Sequence, residues 1–379
     1  MAEKLQIAHV FDSNFDNPNG VSSYISTLAE GCREQGHDVK IIVGNSESSD
    51  PDVISVSKTV PVPANGNTVP LPLPISYRKA RGILRDIKPD IIHIGVPYTP
   101  LVGNQFMSEA APETGVVGTF HVLPYSKRAA FLMNKVGVTT SRTRKRLDHV
   151  LAASPEVQDY AQSGFGLQST LMPCPVDIRR FKAGQRMDEY NDGKFNIFFL
   201  GRLDERKGPT HLLGALSLFD RDELSNLRVA IGGDGPDMQK LRDQANANGL
   251  NDVVEFAGRI PESDKPDFLA SADITALPST SGESFGISVV EAMASGAAVI
   301  AGDNAGYRSI LSSRTPELLI NPTHSGNFAN VLSKLIKSDE LRHDVQLRQQ
   351  EGLHEYDTST VTGRILDVYA DVLASRRNG

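Results

Sequence analysis

Three cations that precede a predicted helix are the residues with the clearest chemical potential. They lie in the segment GRLDERKG (201–208), and a helix is predicted to begin at Pro209. Arg202, Arg206 and Lys207 could bind a diphosphate, because their donors would act together with the positive end of the helix dipole. The alternative is a solvated loop in which the cations pair with the two acidic residues of the same segment.

Two glutamates lie at the start of another predicted helix. Glu283 directly precedes this helix and Glu291 lies inside it. Eight residues correspond to about 800° at about 100° per residue, so both carboxylates fall within roughly 80° of one face. Each could bind a pair of sugar hydroxyls, and the amides of Phe285, Gly286 and Ile287 would be unfilled helix N-terminal donors. Alternatively, Glu283 partners the helix dipole and Glu291 is a surface charge.

Two further candidates stand where predicted strands end. His121 follows the strand Val116–Phe120, where ligand-facing side chains are expected in parallel sheets. Gly20 lies at the first strand-to-helix turn and would let a ligand approach the backbone closely. The alternatives are a structural histidine and a helix cap. The sequence contains no evident cluster of metal ligands and no Ser–His–Asp pattern, so Arg and Lys would neutralise a bound diphosphate.

Short apolar runs that alternate with helical periodicity must position these residues. Such alternation is typical of α/β folds whose parallel sheets are covered by helices on both faces. Two series of strands are predicted, at 7–11, 39–43, 90–94, 116–120 and 150–153, and then at 196–200, 228–231, 253–257, 274–277 and 299–301.

The two series imply two Rossmann-like domains, at 1–177 and 178–359. The polar stretch Met172–Lys194 is predicted to be the linker between them. The last helix, at about 360–379, could pack on either domain, and we expect it to return to the first. The proline-rich segment Val60–Pro74 is predicted to be a surface loop or lid.

Composition and charge narrow the classes of function. The 379 residues include 39 Lys and Arg against 46 Asp and Glu, an ordinary globular composition that excludes a disordered or fibrous chain. Residues 76–146 nevertheless carry twelve Lys and Arg against four Asp and Glu. This basic block favours an anionic partner. Two isolated cysteines fit a reducing cytosol, and the absence of a signal-peptide pattern or an apolar run of about 20 residues predicts a cytoplasmic protein.

Several motifs together resemble the family 4 glycosyltransferases of the GT-B fold. They are the segment GRLDERKG, the segment GESFGISVVEAM followed by ASG, and GTFH at the end of a strand. The helix-opening NGV, the VPxNG loop before a basic helix and the PVD near the linker are similar to members that mannosylate phosphatidylinositol. The resemblance covers nearly the whole chain.

The resemblance implies two Rossmann-like domains that face each other across a deep cleft and close over a nucleotide-sugar donor. Arg202, Lys207 and Arg206 would bind the donor diphosphate, Glu283 the sugar hydroxyls and Glu291 the ribose. His121 would contact the transferred sugar, so the implied catalytic residues are His121, Arg202, Lys207 and Glu283. The other implied donor contacts are Gly20, Ile260, Lys265, Ser284, Phe285, Gly286 and Ile287. Members of the family retain the anomeric configuration and need no metal.

The acceptor side departs from this resemblance. Ser22 stands where the lipid-acting relatives have Gln, and Pro70 falls where an Arg is expected. Asn65 matches the loop, and Lys127 corresponds to a family lysine shifted by one position. Ser22, Asn65 and Lys127 are therefore the implied acceptor contacts, while the donor motifs are intact.

A basic helix predicted from Ser76 to Arg85 resembles the element by which such relatives bind anionic lipid. Arg78, Lys79, Arg81 and Arg85 would each contribute about 1 kcal/mol near an anionic surface. The alternative is an ordinary solvated helix face.

The sequence thus predicts a retaining glycosyltransferase at the inner face of the cell membrane, which moves mannose from GDP-mannose to a lipid such as phosphatidylinositol. Same-face attack by the acceptor hydroxyl is favoured, because no carboxylate nucleophile is evident. One alternative is a family 4 transferase with a UDP-sugar donor and a diacylglycerol, glycan or polyol acceptor. A non-catalytic anion-binding protein is a third reading. Nucleic acid is not an expected partner, because no recognisable motif accompanies the basic block, and the absence of a GxGxxG fingerprint disfavours a dehydrogenase.

Overall fold

The computed structural model describes residues 3–16, 19–64, 67–124 and 126–378. Strands and helices alternate along the chain, which confirms the predicted α/β class. The chain forms two compact units: unit 1 comprises Met1–Pro175 with Thr358–Gly379, and unit 2 comprises Val176–Asp357.

Unit 1 is built on a seven-stranded parallel sheet with the order β3-β2-β1-β6-β7-β8-β9. Its order reverses between β1 and β6, and ligands of parallel sheets bind outside the carboxyl ends of strands at such a point. The strands of this sheet are β1 Gln6–Asn14, β2 Asp38–Asn45, β3 Val53–Ser55, β6 Ile91–Ile94, β7 Gly115–Phe120, β8 His149–Ala152 and β9 Thr170–Leu171. Two further strands, β4 Thr59–Ala64 and β5 Asn67–Pro72, lie outside it. The helices before the second unit are α1 Gly20–Glu34, α2 Tyr77–Ile87, α3 Val102–Glu109, α4 Lys127–Thr139 and α5 Pro155–Phe165.

The segment Val60–Pro74 is not the loop that its prolines suggest. Strands β4 and β5 pair antiparallel, with Val60 opposite Leu71 and Pro61 opposite Pro70. A two-stranded ribbon leaves one edge of each strand unpaired, so residues without an N–H are tolerated there. The prediction of a loop is therefore wrong for most of this segment. Asn65 lies outside the described residues, and its contact with an acceptor stays a prediction.

Unit 2 is built on a six-stranded parallel sheet with the order β12-β11-β10-β13-β14-β15. Its order reverses between β10 and β13, which defines a second switch point. The strands are β10 Phe195–Leu200, β11 Leu227–Gly232, β12 Val254–Gly258, β13 Ile274–Leu277, β14 Ala298–Gly302 and β15 Leu319–Ile320. The helices are α6 Ile178–Lys182, α7 Pro209–Leu216, α8 Arg221–Ser225, α9 Met238–Ala247, α10 Lys265–Ala270, α11 Ile287–Ala294, α12 Ala305–Leu311, α13 Ser325–Lys337 and α14 Asp339–Gln350.

Much of the predicted linker Met172–Lys194 is an integral part of unit 2. The amide of Val176 donates to the carbonyl of Tyr356 at 2.8 Å. Phe181 of α6 is buried, and the Tyr190 ring packs against the core aromatic Phe198 with the ring centroids 4.7 Å apart. The prediction of a linker is wrong beyond residue 175, because a few buried apolar residues anchor a segment whose average composition is polar.

The last helix, α15 Thr358–Asn378, belongs to unit 1. It buries one apolar side against the sheet and α1, and that side consists of Val361, Ile365, Tyr369 and Val372. A Cβ atom at Gly31 of α1 would lie 2.3 Å from Thr362 Oγ1, so only glycine permits this close approach. None of the helices among the described residues combines the length and the apolar composition of a membrane-spanning segment.

Candidate active site

Two loops at the switch point of unit 2 hold most of the predicted donor residues. Because β10 and β13 are neighbours in the sheet, the loops that follow them, 201–208 and 278–286, leave the same edge. Gly208 has a φ of 72°, and a Cβ there would lie 2.3 Å from the Pro278 carbonyl oxygen. Glycine is thus required at the contact between the loops, which brings the predicted cations and Glu283 together.

Glu283 is the centre of this contact. Its Oε1 accepts a hydrogen bond from Arg206 Nη1 at 2.7 Å and lies 2.8 Å from Lys207 Nζ. Ser279 Oγ donates to the same oxygen at 2.9 Å. One carboxylate oxygen therefore connects both loops, and we call Arg206, Lys207, Glu283 and Ser279 the donor cluster.

Within the donor cluster, Lys207 and Glu283 stabilise each other's charged form. Burial by itself would lower the pKa of Lys207, but the Glu283 carboxylate outweighs it and the pKa is raised. Burial would raise the pKa of Glu283, but Lys207 and Arg206 hold it below its usual value. Two cations against one carboxylate leave a net positive charge, which suits an anionic ligand.

The alternative of a solvated loop applies to one of the three cations. The exposed Arg202 places its Nε 3.4 Å from Asp204 Oδ2. Asp204 also accepts a hydrogen bond from the Lys207 amide through Oδ1 at 2.8 Å, which shapes the turn. Arg206 and Lys207 are only about one-fifth exposed and pair with Glu283 instead.

Glu291 is buried, so the alternative of a surface charge is wrong. Its Oε1 accepts a hydrogen bond from Lys265 Nζ at 2.7 Å. Its Oε2 is buried without a hydrogen-bond partner among the described residues. A buried carboxylate oxygen without a partner is costly, and a ligand hydroxyl at this position would satisfy it. The Lys265 ammonium is committed to Glu291, and half-buried Ile260 packs against the cluster of Tyr190 and Phe198; their contact with a base stays a prediction.

The start of α11 is held in place by its neighbours. Gly286 has a φ of 125°, and a Cβ there would lie 2.8 Å from the Tyr307 ring. The Gly306 amide donates to the Glu283 carbonyl at 3.0 Å, which anchors the preceding loop on α12. The Phe285 side chain is buried against Tyr356, so this residue could contact a ligand through its backbone alone. Ser284 and Ile287 are half-buried.

His121 occupies the carboxyl end of β7 in unit 1. The side chain is buried, and its Nε2 has no hydrogen-bond partner among the described residues. The ring packs edge-on against Tyr24, with the centroids 4.3 Å apart. Burial lowers the pKa of His121 to about 3, so the imidazole is neutral. This histidine is therefore not a satisfied core residue, and it can offer one neutral donor or acceptor.

A buried polar network lies beside His121, and it was not predicted from the sequence. Tyr24 and Thr119 place their hydroxyl oxygens 3.3 Å apart, and Thr119 Oγ1 lies 2.6 Å from His93 Nε2. His93 Nδ1 lies 2.5 Å from the Tyr369 hydroxyl of α15. His9 stacks beside His93, with the ring centroids 5.2 Å apart. The available signal was the occurrence of a histidine inside each of the apolar runs IAHVF and IIHI.

Gly20 is the first residue of α1 rather than its cap. Asn19 is the N-cap, and it forms a reciprocal capping box with Ser22. A Cβ at Gly20 would meet no atom within 4 Å, so the space in front of this residue is open. Ser22 is buried and its hydroxyl takes part in the capping box, while Lys127 is exposed in the first turn of α4. Their contacts with an acceptor stay predictions.

The predicted basic helix corresponds to α2. Within this helix, Ala80 and Leu84 are buried. Its candidate cations are exposed, and they are Arg78, Lys79, Arg81 and Arg85. Arg81 Nε donates to Glu109 Oε2 at 2.6 Å, and Lys79 Nζ donates to the Val56 carbonyl at 2.6 Å. Over the described part of the chain, no group of three or more His, Cys, Asp or Glu residues could hold a metal ion.

Two protein families match the two parts of the chain. Residues 18–180 match the family described as Glycosyltransferase Family 4, and residues 185–351 match Glycosyl transferases group 1. A phosphatidyl-myo-inositol mannosyltransferase of Mycolicibacterium smegmatis is 32% identical over 97% of this chain and 94% of its own length. An alpha-monoglucosyldiacylglycerol synthase of Streptococcus pneumoniae is 23% identical over 98% of this chain and 87% of its own.

Solved structures share the fold at lower identity. HepE of Anabaena, in complex with UDP-glucose, superposes with a TM-score of 0.77 at 19% identity, over 96% of this chain and 99% of its own. Sucrose-phosphate synthase of Thermosynechococcus elongatus superposes with a TM-score of 0.75 at 17% identity, over 98% of this chain and 100% of its own.

Proposed function

Because the chain belongs to the family 4 glycosyltransferases and has their GT-B fold, we propose that it transfers mannose from GDP-mannose to phosphatidylinositol with retention of configuration. The site of action would be the cytoplasmic face of the cell membrane. The donor cluster carries the enzymatic part of this proposal, since it presents two partly buried cations at a switch point. The mannosyltransferase relative, at 32% identity over 97% of the chain, supports the choice of sugar and acceptor.

The donor diphosphate would bind at Arg202, Arg206 and Lys207. Departure of a nucleoside diphosphate builds negative charge on its oxygens, and cations that are already in place stabilise that charge without reorganisation. The Glu283 carboxylate pairs with both Arg206 and Lys207, at 2.7 and 2.8 Å. A bound diphosphate would replace part of these contacts. The Glu283 carboxylate could then accept hydrogen bonds from sugar hydroxyls.

Glu291 would bind the ribose. Lys265 holds one carboxylate oxygen at 2.7 Å, which orients the side chain and leaves Oε2 for a ligand. Ribose hydroxyls are suitable donors to such an oxygen.

His121 would contact the transferred sugar. With a pKa of about 3, its imidazole would act as a neutral hydrogen-bonding group rather than as a cation. We propose that the acceptor hydroxyl attacks from the face of the departing phosphate, which would accept the proton. A trapped covalent glycosyl-enzyme would contradict this mechanism.

A second candidate is transfer from a UDP-sugar to a diacylglycerol. The alpha-monoglucosyldiacylglycerol synthase of Streptococcus pneumoniae and the UDP-glucose complex of HepE favour it. In addition, Ser22 and Pro70, which differ from the residues expected from the resemblance, belong to the expected acceptor side.

Thermal unfolding with GDP, UDP or ADP tests the donor site. We expect GDP to stabilise the chain most, since a ligand at 100 times its dissociation constant adds about 2.7 kcal/mol. Lys207→Ala should remove most of this increment. Lys240→Ala, at an exposed lysine of the same unit, should keep it. A flat response to all three nucleotides would exclude the enzymatic proposal, and a preference for UDP would favour the second candidate.

Turnover identifies the acceptor. GDP-mannose labelled in the sugar, incubated with vesicles that contain phosphatidylinositol, should yield a labelled lipid. UDP-glucose with diacylglycerol vesicles is the parallel reaction. A product in the second reaction alone would replace the first proposal.

A further inference from the structure

Helix α4 exposes large apolar side chains on its outer side. These are Phe131, Leu132, Val136 and Val138, which are 61%, 63%, 44% and 67% exposed. We call these four residues the outer face of α4. Isolated exposed hydrophobic residues are common, but four on one 13-residue helix suggest a binding surface.

The opposite side of α4 packs through half-buried Met133, which contacts the cluster of Tyr98 and Phe120, and through small and polar residues. A Cβ at Gly137 would lie 2.3 Å from the Phe165 ring, so glycine lets the helix lie directly on α5. Asn134 Oδ1 accepts a hydrogen bond from the Tyr160 hydroxyl at 3.0 Å. Ser126 caps the start of the helix, and Arg144 donates to the Gly137 carbonyl near its end. The helix is thus held without any contribution from its outer face.

Cations surround this apolar face. Residues 126–147 contain seven Lys and Arg and no Asp or Glu. Lys127, Arg128 and Lys135 are exposed, and no ion pair among the described residues involves them. Lys135 Nζ lies 5.4 Å from the centre of the Phe131 ring. A depression of about 380 Å³ is lined by Lys127, Arg128, Phe131 and Leu132, so cationic and apolar side chains share one surface.

Helix α2 offers charge with less apolar surface, since Tyr77 is the single exposed large hydrophobic side chain among its described residues, at 48%. Its apolar residues Ala80 and Leu84 are buried in the core of unit 1, and Arg81 is paired with Glu109. An anionic surface could attract α2, but α2 has little to insert into it. The two helices therefore differ in what they could contribute to a membrane contact.

We propose that α4 lies in the interface of an anionic phospholipid bilayer, with Phe131 and Leu132 among the acyl chains. Lys127, Arg128 and Lys135 would reach the lipid phosphates, because long cationic side chains extend along apolar surface to the polar layer. A second copy of this chain would oppose like charges, whereas a bilayer supplies apolar and anionic groups at once. The inference rests on the lipid acceptor proposed above and names the surface that reaches it.

A tryptophan reporter tests the position of α4. The natural chain contains no tryptophan, so Phe131→Trp gives a single emission signal. Vesicles of phosphatidylglycerol and phosphatidylcholine should shift this emission to the blue, and lipids brominated along the acyl chain should quench it. Leu218→Trp, at a 59% exposed position in unit 2, is the matched control and should do neither. Vesicle binding without a shift at position 131 would overturn the proposal.

Loss of apolar contact provides the second test. The double variant Phe131→Ser/Leu132→Ser should reduce partition into the same vesicles at least about tenfold. Leu347→Ser, at an exposed leucine of unit 2, should leave partition unchanged. Undiminished partition of the double variant would overturn the proposal, as would a blue shift that depends on protein concentration without vesicles, which would indicate self-association.

These outcomes are separate from those of the proposed function. Stabilisation by GDP reports the donor site alone and should be equal in the double variant and the natural chain. If the chain inserted into vesicles but no nucleotide stabilised it, the proposal for α4 would stand and the enzymatic proposal would be excluded.

Discussion

Glu283 accepts contacts from Arg206, Lys207 and Ser279 through a single oxygen, so a ligand that replaces it must satisfy the same donors. We expect Glu283→Gln to lower the free energy of unfolding by about 1–3 kcal/mol, because two partly buried cations lose their counter-charge. GDP should then stabilise the variant more than the natural chain, since the diphosphate restores that charge. Thermal unfolding with and without GDP measures both effects.

The control for this substitution is Glu317→Gln. Glu317 is half exposed and pairs with Arg348 at the surface, so its loss should cost at most about 1 kcal/mol and leave the GDP increment unchanged. An equal GDP increment in Glu283→Gln and the natural chain would show that the diphosphate does not compete with Glu283.

A substitution at Gly20 can distinguish an effect on ligand binding from an effect on folding, because it adds a single methyl group. Since a Cβ there meets no atom within 4 Å, Gly20→Ala should change the free energy of unfolding by less than about 1 kcal/mol. Steady-state kinetics should nevertheless show a raised KM for the donor if the ligand approaches this backbone. Gly363→Ala, at an open position inside α15, should leave the KM unchanged and raise the free energy of unfolding by up to about 1 kcal/mol through helix propensity. An unchanged KM in Gly20→Ala would remove Gly20 from the donor site.

At the scale of elements, the loop before α11 depends on its packing against α12. Gly286→Ala would combine a φ of 125° with a Cβ 2.8 Å from Tyr307, so we expect a loss of at least about 2 kcal/mol in the free energy of unfolding. Gly326→Ala is the control in α13, where a Cβ meets nothing. Denaturant unfolding compares the two, and an equal stability would mean that α12 moves aside at little cost.

Most elements could be predicted from the sequence because their periodicity is local. The strand predicted at 7–11 extends in fact to Asn14, which pairs with Asn45 of β2. Within the added part, buried Asp12 accepts a hydrogen bond from the Gly103 amide at 2.6 Å, and that partner is 91 residues away and leaves no local trace. The linker prediction failed for a similar reason, because the burial of Tyr190 depends on Phe198 and Phe268.

The candidate site shows the same limit. The cations of 201–208 and Glu283 could be selected from residue type and position after strands. Their mutual contact could not be predicted, since it depends on the close approach of two loops at Gly208. The burial of Glu291 likewise follows from Lys265, which comes from a separate helix.

At the scale of the whole molecule, the described part of unit 1 contains four buried histidines, and three of them, His9, His93 and His121, are held neutral in the folded chain. Burial lowers the pKa values of His9 and His121 from 6.5 to about 3, and that of His93 well below 6.5. The unfolded chain therefore binds more protons below pH 6.5, so stability is lost as the pH falls. The slope should approach about 4 kcal/mol per pH unit for three groups. Burial raises the pKa of Asp12 from 3.8 to about 6, which offsets about one third of this slope below pH 6.

The midpoint of thermal unfolding between pH 5 and 7.5 checks this prediction. His121→Asn should lower the slope by about one titrating group. The control is Leu218→Asn, at an exposed position without an ionisable group, which should leave the slope unchanged. A midpoint that does not depend on pH in this range would contradict the neutral burial of the three histidines.

The return of α15 to unit 1 has a consequence for the order of events during synthesis. The first residues of unit 1 leave the ribosome early, but Tyr369 and Val372, which complete its core, are translated only after the whole of unit 2. At translation rates of about 5–20 residues per second, this delay is about 10 to 40 s. Unit 2 is contiguous in sequence and can fold first. The amino-terminal part of unit 1 would therefore stay incompletely packed until α15 has been translated.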